Sequence, residues 1–291
     1  MNAESALATE SFDSEPITPE SIAELRARVT GPVFARGDQG AAAEVACFNR
    51  SRTQDPDVVV GATNDADVVA AVRFAVQNRL LVRIQATGHG SGKTPAGGMM
   101  ITTRRMDTLQ LDPRTRLATI GAGVQWQRVV ETAAAFELAP IVGSSVTVGA
   151  VGYTLGGGLG PLARSHGFSS DWVRGFRVVT AAGDIITADA HSNPDLFWAL
   201  RGGKGGFGVV TEMTIELAPM PALYVGGLLF EGAKTSGPRC AVGPLGCRMR
   251  RPASRHPLRC CACRRAATHP KPTHPTPTAQ RRRNMRAPCS T

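Results

Sequence analysis

Residues 148–160 read Val148-Gly149-Ala150-Val151-Gly152-Tyr153-Thr154-Leu155-Gly156-Gly157-Gly158-Leu159-Gly160, with six glycines in thirteen positions. Glycine weakens helices and strands, and its companions here are apolar instead of the Ser and Pro of a linker. Such density implies backbone pressed against something large and flat, either a ligand or another part of the chain. A second signal lies upstream, in Val82-Arg83-Ile84-Gln85-Ala86-Thr87-Gly88-His89-Gly90. His89 stands between two residues without a Cβ, where backbone amides can approach a pyrophosphate or a ring; a solvated turn histidine would read the same way. Residues 88–94 also end in the Gly-Lys-Thr of a phosphate-binding P-loop. That loop needs glycine at 87, where Thr87 stands, and a helix after it, where Pro95, Gly97 and Gly98 follow. Both failures argue against a P-loop.

Working outward, Ile22, Leu25 and Val29 mark a short helix ended by Gly31-Pro32. Residues 58–60 form a strand, Asp65 caps a helix carrying Val68, Val69, Val72 and Val76, and residues 80–84 form a second strand. This β-α-β unit lacks the G-x-G-x-x-G of a nicotinamide-binding fold, since Gly61-Ala62-Thr63-Asn64 connects strand to helix. Strands follow at 99–102, and at 109–111 and 117–120 around the turn Asp112-Pro113-Arg114-Thr115. A helix runs through Trp126, Val129, Val130 and Ala133. Beyond the glycine stretch, the pattern gives a hairpin over 173–188 turning at Ala182-Gly183. A helix capped by Asn193 with Pro194 first, and a strand over 207–217, complete it. Strands and helices mixed without a repeat make an α+β domain.

Charge is distributed unevenly over the 291 residues. The net charge is +10, yet residues 232–291 hold 12 Arg, 2 Lys and no acidic residue. Those 14 positive charges exceed the total, so residues 1–231 carry a net −4, and a basic-surface argument for nucleic acid or membrane does not apply to the body. Cys47 is the single cysteine before residue 232, which is no disulfide framework and suits a reducing, cytoplasmic setting. No apolar run approaches the length of a membrane span. The body is also poor in lysine, with Lys93 and Lys204 alone before residue 232.

Taken together, residues 82–90, residues 147–160, Asn193-Pro194-Asp195-Leu196-Phe197-Trp198-Ala199-Leu200-Arg201-Gly202-Gly203 and Gly205-Gly206-Phe207-Gly208-Val209-Val210-Thr211 resemble the FAD-linked oxidases of the berberine bridge enzyme type. Their shared part is the flavin-binding domain of the vanillyl-alcohol oxidase and p-cresol methylhydroxylase (PCMH) class. The resemblance spans about residues 55–220, in the family's order and spacing. It implies a PCMH-type FAD-binding domain of two α/β subdomains. His89 then corresponds to the histidine that carries the flavin through its 8α-methyl carbon, and Gln85, Ala86, Thr87, Gly88, His89 and Gly90 to the loop around the pyrophosphate. Val148, Gly149, Gly152, Tyr153, Gly156, Gly157 and Gly158 match the segment packed along the cofactor, and Val209 a strand residue whose backbone contacts it. Where bicovalent members carry a second, cysteinyl attachment, this chain has Ser145, which implies single attachment and a less oxidising flavin.

The resemblance ends early. Residues 1–54 form a lead and 55–220 the FAD-binding domain, while 221–235 would start a substrate domain that is otherwise missing. From 236 to 291 the composition is that of an out-of-frame reading of a GC-rich gene, and we expect a disordered basic tail. Nine prolines and only Val242, Leu245 and Leu258 as branched aliphatics stand among the sixty residues from 232. Cys260-Cys261-x-Cys263 with His256 and His269 lacks zinc-site spacing, so no metal site is expected. The resulting expectation is a flavoenzyme that takes hydride from a C–H bond of a sugar, alcohol or related small molecule onto flavin N5. Oxygen or another acceptor would reoxidise it. Neither a catalytic base nor a nucleic-acid or membrane partner is expected from the body. The alternatives are an inactive FAD-binding fragment and a nucleic-acid binder acting through its basic tail.

Overall fold

The computed structural model describes residues 17–92 and 96–220, all inside the first of two units, Met1–Leu223. The expectations for the start of a substrate domain and for the basic tail fall outside the described residues.

The first layer contains α1 (Pro19–Arg28), β1 (Val33–Ala35), α2 (Ala41–Glu44), β2 (Val58–Gly61), α3 (Asp65–Gln77), β3 (Val82–Gln85) and β4 (Met99–Thr102). Its four strands take the order β1-β2-β4-β3, with β1 antiparallel to β2 and the other pairings parallel. The β2-α3-β3 unit therefore exists, but its two strands do not touch. β4 enters between them, Met99 pairing with both Val58 and Val82. A strand flanked on both edges and covered on both faces reads as an unbroken apolar run, which is what Met99-Met100-Ile101 is.

The cap of α3 differs from expectation. Asn64, not Asp65, is the cap: its side-chain oxygen accepts the Asp67 N–H at 2.9 Å. Asp65 begins the helix and pairs with Arg177 at 2.7 Å. Asp67 is buried and accepts from the amides of Thr30, Gly31 and Thr63 and from the Thr63 hydroxyl, at 2.7–3.2 Å. One carboxylate thus ties the segment after α1 to the start of α3.

The second layer contains β5 (Leu109–Asp112), β6 (Leu117–Gly121), α4 (Trp126–Ala134), β7 (Leu138–Ala139), α5 (Ala150–Thr154) and α6 (Ala163–His166). A 3₁₀ turn (Ser169–Trp172), β8 (Val173–Val179), β9 (Ile185–Asp189), α7 (Pro194–Leu200), β10 (Val209–Glu216) and β11 (Ala218–Pro219) follow. Five strands pair antiparallel in the order β5-β6-β10-β8-β9, and β7 pairs with β11. Both expected hairpins are present. Asn193 precedes α7 as expected but does not cap it: its backbone is left-handed and its amide donates to Thr187 O at 2.7 Å, bracing β9 instead.

Each layer has its own core. Trp126, Val129, Phe176, Met213 and Ile215 are buried in the second, while Val58, Val60, Val68, Ala71 and Ile101 are buried in the first. Val179 and Val209, at paired ends of β8 and β10, are buried in the first core, so these two strands run through both. The architecture is the expected α+β arrangement of two subdomains.

Candidate cofactor site

The loop after β3 is built around Gln85. Its amide nitrogen donates to Val45 O at 3.0 Å, and its oxygen receives the Cys47 thiol and the Ser91 hydroxyl, each at 3.2 Å. These bonds anchor both ends of the turn at 86–90. Gly88 has φ +71°, and a Cβ there would stand 2.7 Å from Cys47 Cα, so conformation and space both require glycine. The amides of Gly88, His89 and Gly90 make no hydrogen bond among the described residues. Gly88 is buried against Cys47, His89 is half-buried and Gly90 is exposed, so the run of unpaired donors opens to the surface at its Gly90 end, where it is suited to an anion.

His89 is held from two sides. Phe48 stacks on its ring at 3.7 Å between centroids and 11° between planes, and Nε2 shares a 3.0 Å hydrogen bond with Thr147 Oγ1. Ser145 Oγ lies 3.2 Å from the same hydroxyl, and Thr87 Oγ1 accepts the Gly149 amide at 3.3 Å. The two stretches singled out in the sequence thus meet, one from each layer. Nδ1 of His89 is the ring nitrogen with no hydrogen bond among the described residues.

The glycine stretch divides into two kinds of position. A Cβ on Gly152 or Gly157 would meet nothing within 4 Å, and one on Gly156 nothing closer than 3.5 Å. At Gly149 and Gly158 it would stand 3.1 Å from Ala86 Cβ and 2.5 Å from Ser169 Cβ. Some of these glycines therefore face open space, while others serve chain-on-chain packing. Tyr153 turns its ring inward, edge-on to Trp126 at 6.0 Å and against Gly143 and Gly158. Burial raises its phenol above the ordinary value, and its oxygen has no hydrogen-bond partner among the described residues, since the Ser169 hydroxyl donates to the carbonyls of Ile141 and Gly158. Val148 is half-buried and its carbonyl accepts from Trp126 N at 3.0 Å. Val209 has its side chain in the first core.

Residue reading of the sequence missed Phe48 and Thr147. Phe48 follows Cys47 in the lead and gives no periodic signal; Thr147 precedes the glycines without a motif of its own.

Open glycine faces, a turn with unpaired amides and an imidazole fixed beside both make a candidate cradle for a flat, phosphate-bearing cofactor. Residues 56–189 match the FAD binding domain family. (R)-6-hydroxynicotine oxidase of Paenarthrobacter nicotinovorans is 34% identical over 203 residues, covering 69% of this chain and 44% of that protein. The structure of 6-hydroxy-D-nicotine oxidase from Arthrobacter nicotinovorans superposes with a TM-score of 0.63 at 34% identity, covering 66% of this chain and 43% of the other. Glucooligosaccharide oxidase from Acremonium strictum, described with a 6-S-cysteinyl, 8α-N1-histidyl FAD, gives a TM-score of 0.61 at 28% identity, covering 68% and 42%. Residues 56–189 thus carry an FAD binding domain, and the relatives matched are FAD-linked oxidases of the vanillyl-alcohol oxidase and berberine bridge enzyme family, aligned over about two thirds of this chain. It spans under half the length of these relatives. No described helix is long and apolar enough to cross a membrane.

Proposed function

We propose that this chain is the FAD-holding part of an oxidoreductase that oxidises a C–H bond of a small molecule, such as a sugar or an alcohol, with oxygen or another acceptor taking the electrons. The observation that carries this is the meeting of the His89 turn with the 145–149 segment beside glycines that face open space. A bound flavin would supply a two-electron acceptor whose N5 takes hydride. The chain's own residues would do the holding. The free amides at 88–90 receive the diphosphate, and Gly152, Gly156 and Gly157 let the backbone come close.

We further propose covalent attachment through His89. Nε2 is engaged by Thr147, which leaves Nδ1 to form the bond, the nitrogen that N1-histidyl denotes in the Acremonium strictum oxidase; the bond would replace a C–H of the 8α-methyl carbon, two protons leaving from that carbon and the imidazole and the electron pair passing to the flavin ring, from which oxygen or the other acceptor removes it. Ser145 replaces the thiol that a cysteinyl bond would need, so attachment is single. The test is a denaturing gel of protein produced with flavin. A fluorescent band that disappears in His89→Ala supports the proposal, and a band that persists in this variant refutes attachment at His89.

Because the chain spans 44% of (R)-6-hydroxynicotine oxidase, a second reading is an FAD-binding domain without turnover of its own. Catalysis needs a second wall that positions the donor C–H, supplies a base and excludes water. On this reading residues 55–220 are the cofactor domain, while the expectations for 221–235 and 236–291 lie outside the described residues. Rapid mixing with a panel of sugars and alcohols separates the readings, since fast bleaching of the flavin would show that the residues present suffice. The single thiol at Cys47 in the body is the basis for placing the protein in the reducing cytoplasm.

A further inference from the structure

We infer that Lys204 is an anion-contacting residue of this site, its ammonium paired with the diphosphate of the bound dinucleotide. The inference rests on the FAD reading above and deepens it. Lys204 lies in the glycine loop between α7 and β10, and its amide donates to Leu155 O at 2.9 Å, which pins that loop against the end of α5. From there the side chain extends over the cradle. Its Cδ lies 4.0 Å from where a Gly156 side chain would begin, and Nζ lies 3.8 Å from the same point on Gly90. The ammonium thus reaches from one glycine motif to the turn whose amides are free, bringing three segments distant in sequence around one point.

Two features argue that this placement has a purpose. Lys204 has φ +67°, a left-handed backbone that glycine adopts without cost and a lysine does not, in a loop where Gly202, Gly203, Gly205 and Gly206 surround it. It also makes no ion pair among the described residues. A cation without an acidic partner, beside the Gly90 end of a turn whose amides are unpaired, lacks the negative charge that would complete the cluster. A diphosphate supplies it through charge-assisted hydrogen bonds, whereas the uncharged ring and ribityl chain of riboflavin cannot.

The experiment is titration of the full chain, carrying His89→Ala so that binding stays reversible, with FAD and with riboflavin, followed by flavin fluorescence. Lys204→Gln is expected to weaken FAD about 10-fold or more and to leave riboflavin within about twofold, because a hydrogen bond to a charged group is lost. Lys204→Arg should restore most of the affinity. Lys204→Gly serves as a folding control: it relieves the left-handed backbone, so its melting temperature should not fall, yet FAD should bind as weakly as in Lys204→Gln. Equal FAD affinity in Lys204→Gln and its parent overturns the inference and leaves the FAD reading intact. Equal losses for FAD and riboflavin also overturn it. If the parent binds no FAD at all, the FAD reading falls first, and this inference with it.

Discussion

Thr147 positions the imidazole that we propose carries the flavin, without forming that bond itself. It holds His89 Nε2 at 3.0 Å and also contacts Ser145, while Phe48 covers one face of the same ring. Thr147→Val keeps the shape and removes that bond, so the imidazole loses its fixed rotation. Covalent incorporation should slow about 10-fold, the equivalent of roughly 1.4 kcal/mol of orientation, while reversible FAD binding is retained. The time course of fluorescent band formation reads this out, and an unchanged rate would show that Phe48 alone positions the ring. Asp67 is a stabilising residue of a different kind. Burial works to raise its pKa, but hydrogen bonds from Thr30, Thr63 and Gly31 outweigh this and hold the carboxyl below its ordinary value. A carboxyl lowered in the folded state contributes stability above its unfolded pKa and loses it as pH falls through the folded value. Asp67→Ala should cost about 2–3 kcal/mol at neutral pH, since buried donors are left unsatisfied. The difference from wild type should narrow in acid, which urea melts at neutral and low pH would measure.

At the scale of an element, the glycine stretch separates folding from binding. Gly158 has φ +75°, and an added Cβ would stand 2.5 Å from Ser169 Cβ, so Gly158→Ala should destabilise the domain by about 2–3 kcal/mol. Gly152 lies within α5 with nothing within 4 Å of an added Cβ. Gly152→Ala should therefore stabilise the free protein by about 0.5–1 kcal/mol, the helix preference for alanine, while weakening FAD by filling the cradle. Thermal melts with and without FAD distinguish the two. Were Gly152→Ala to bind FAD as tightly as wild type, the cofactor would not lie over α5.

For the whole molecule, β8 and β10 pass through both cores, and Arg177 and Asp65 join the layers at 2.7 Å. The described body should then unfold as one cooperative unit. A cofactor held between the layers, as we propose, would bind only the folded state, so FAD at about 100 times its dissociation constant should add about 2.7 kcal/mol. For a body of this size that is a rise in melting temperature of roughly 5–10 °C. Two separate transitions, or a FAD shift confined to one of them, would show that the layers fold independently.

Much of this arrangement is legible in the sequence because it is local. Hairpins at 109–121 and 173–189, the helix through Trp126 and the glycine stretch announce themselves by period, turn residues and composition. The family resemblance adds His89 and the order of the motifs. Tertiary structure alone decides the rest, because it depends on contacts between residues far apart in the chain. β4 enters between β2 and β3 since parallel neighbours are chosen by packing and not by order, and Asn64 displaces Asp65 as cap once Asp65 finds Arg177. Which glycines face open space follows from where Ser169 and Ala86 come to lie. Thr147 and Lys204 come to His89 and Gly90 only through the fold, across 58 residues in the first case. Sequence determined by itself that these glycine motifs belong to a flavin domain; the three-dimensional packing decided which atoms are left open to receive the flavin.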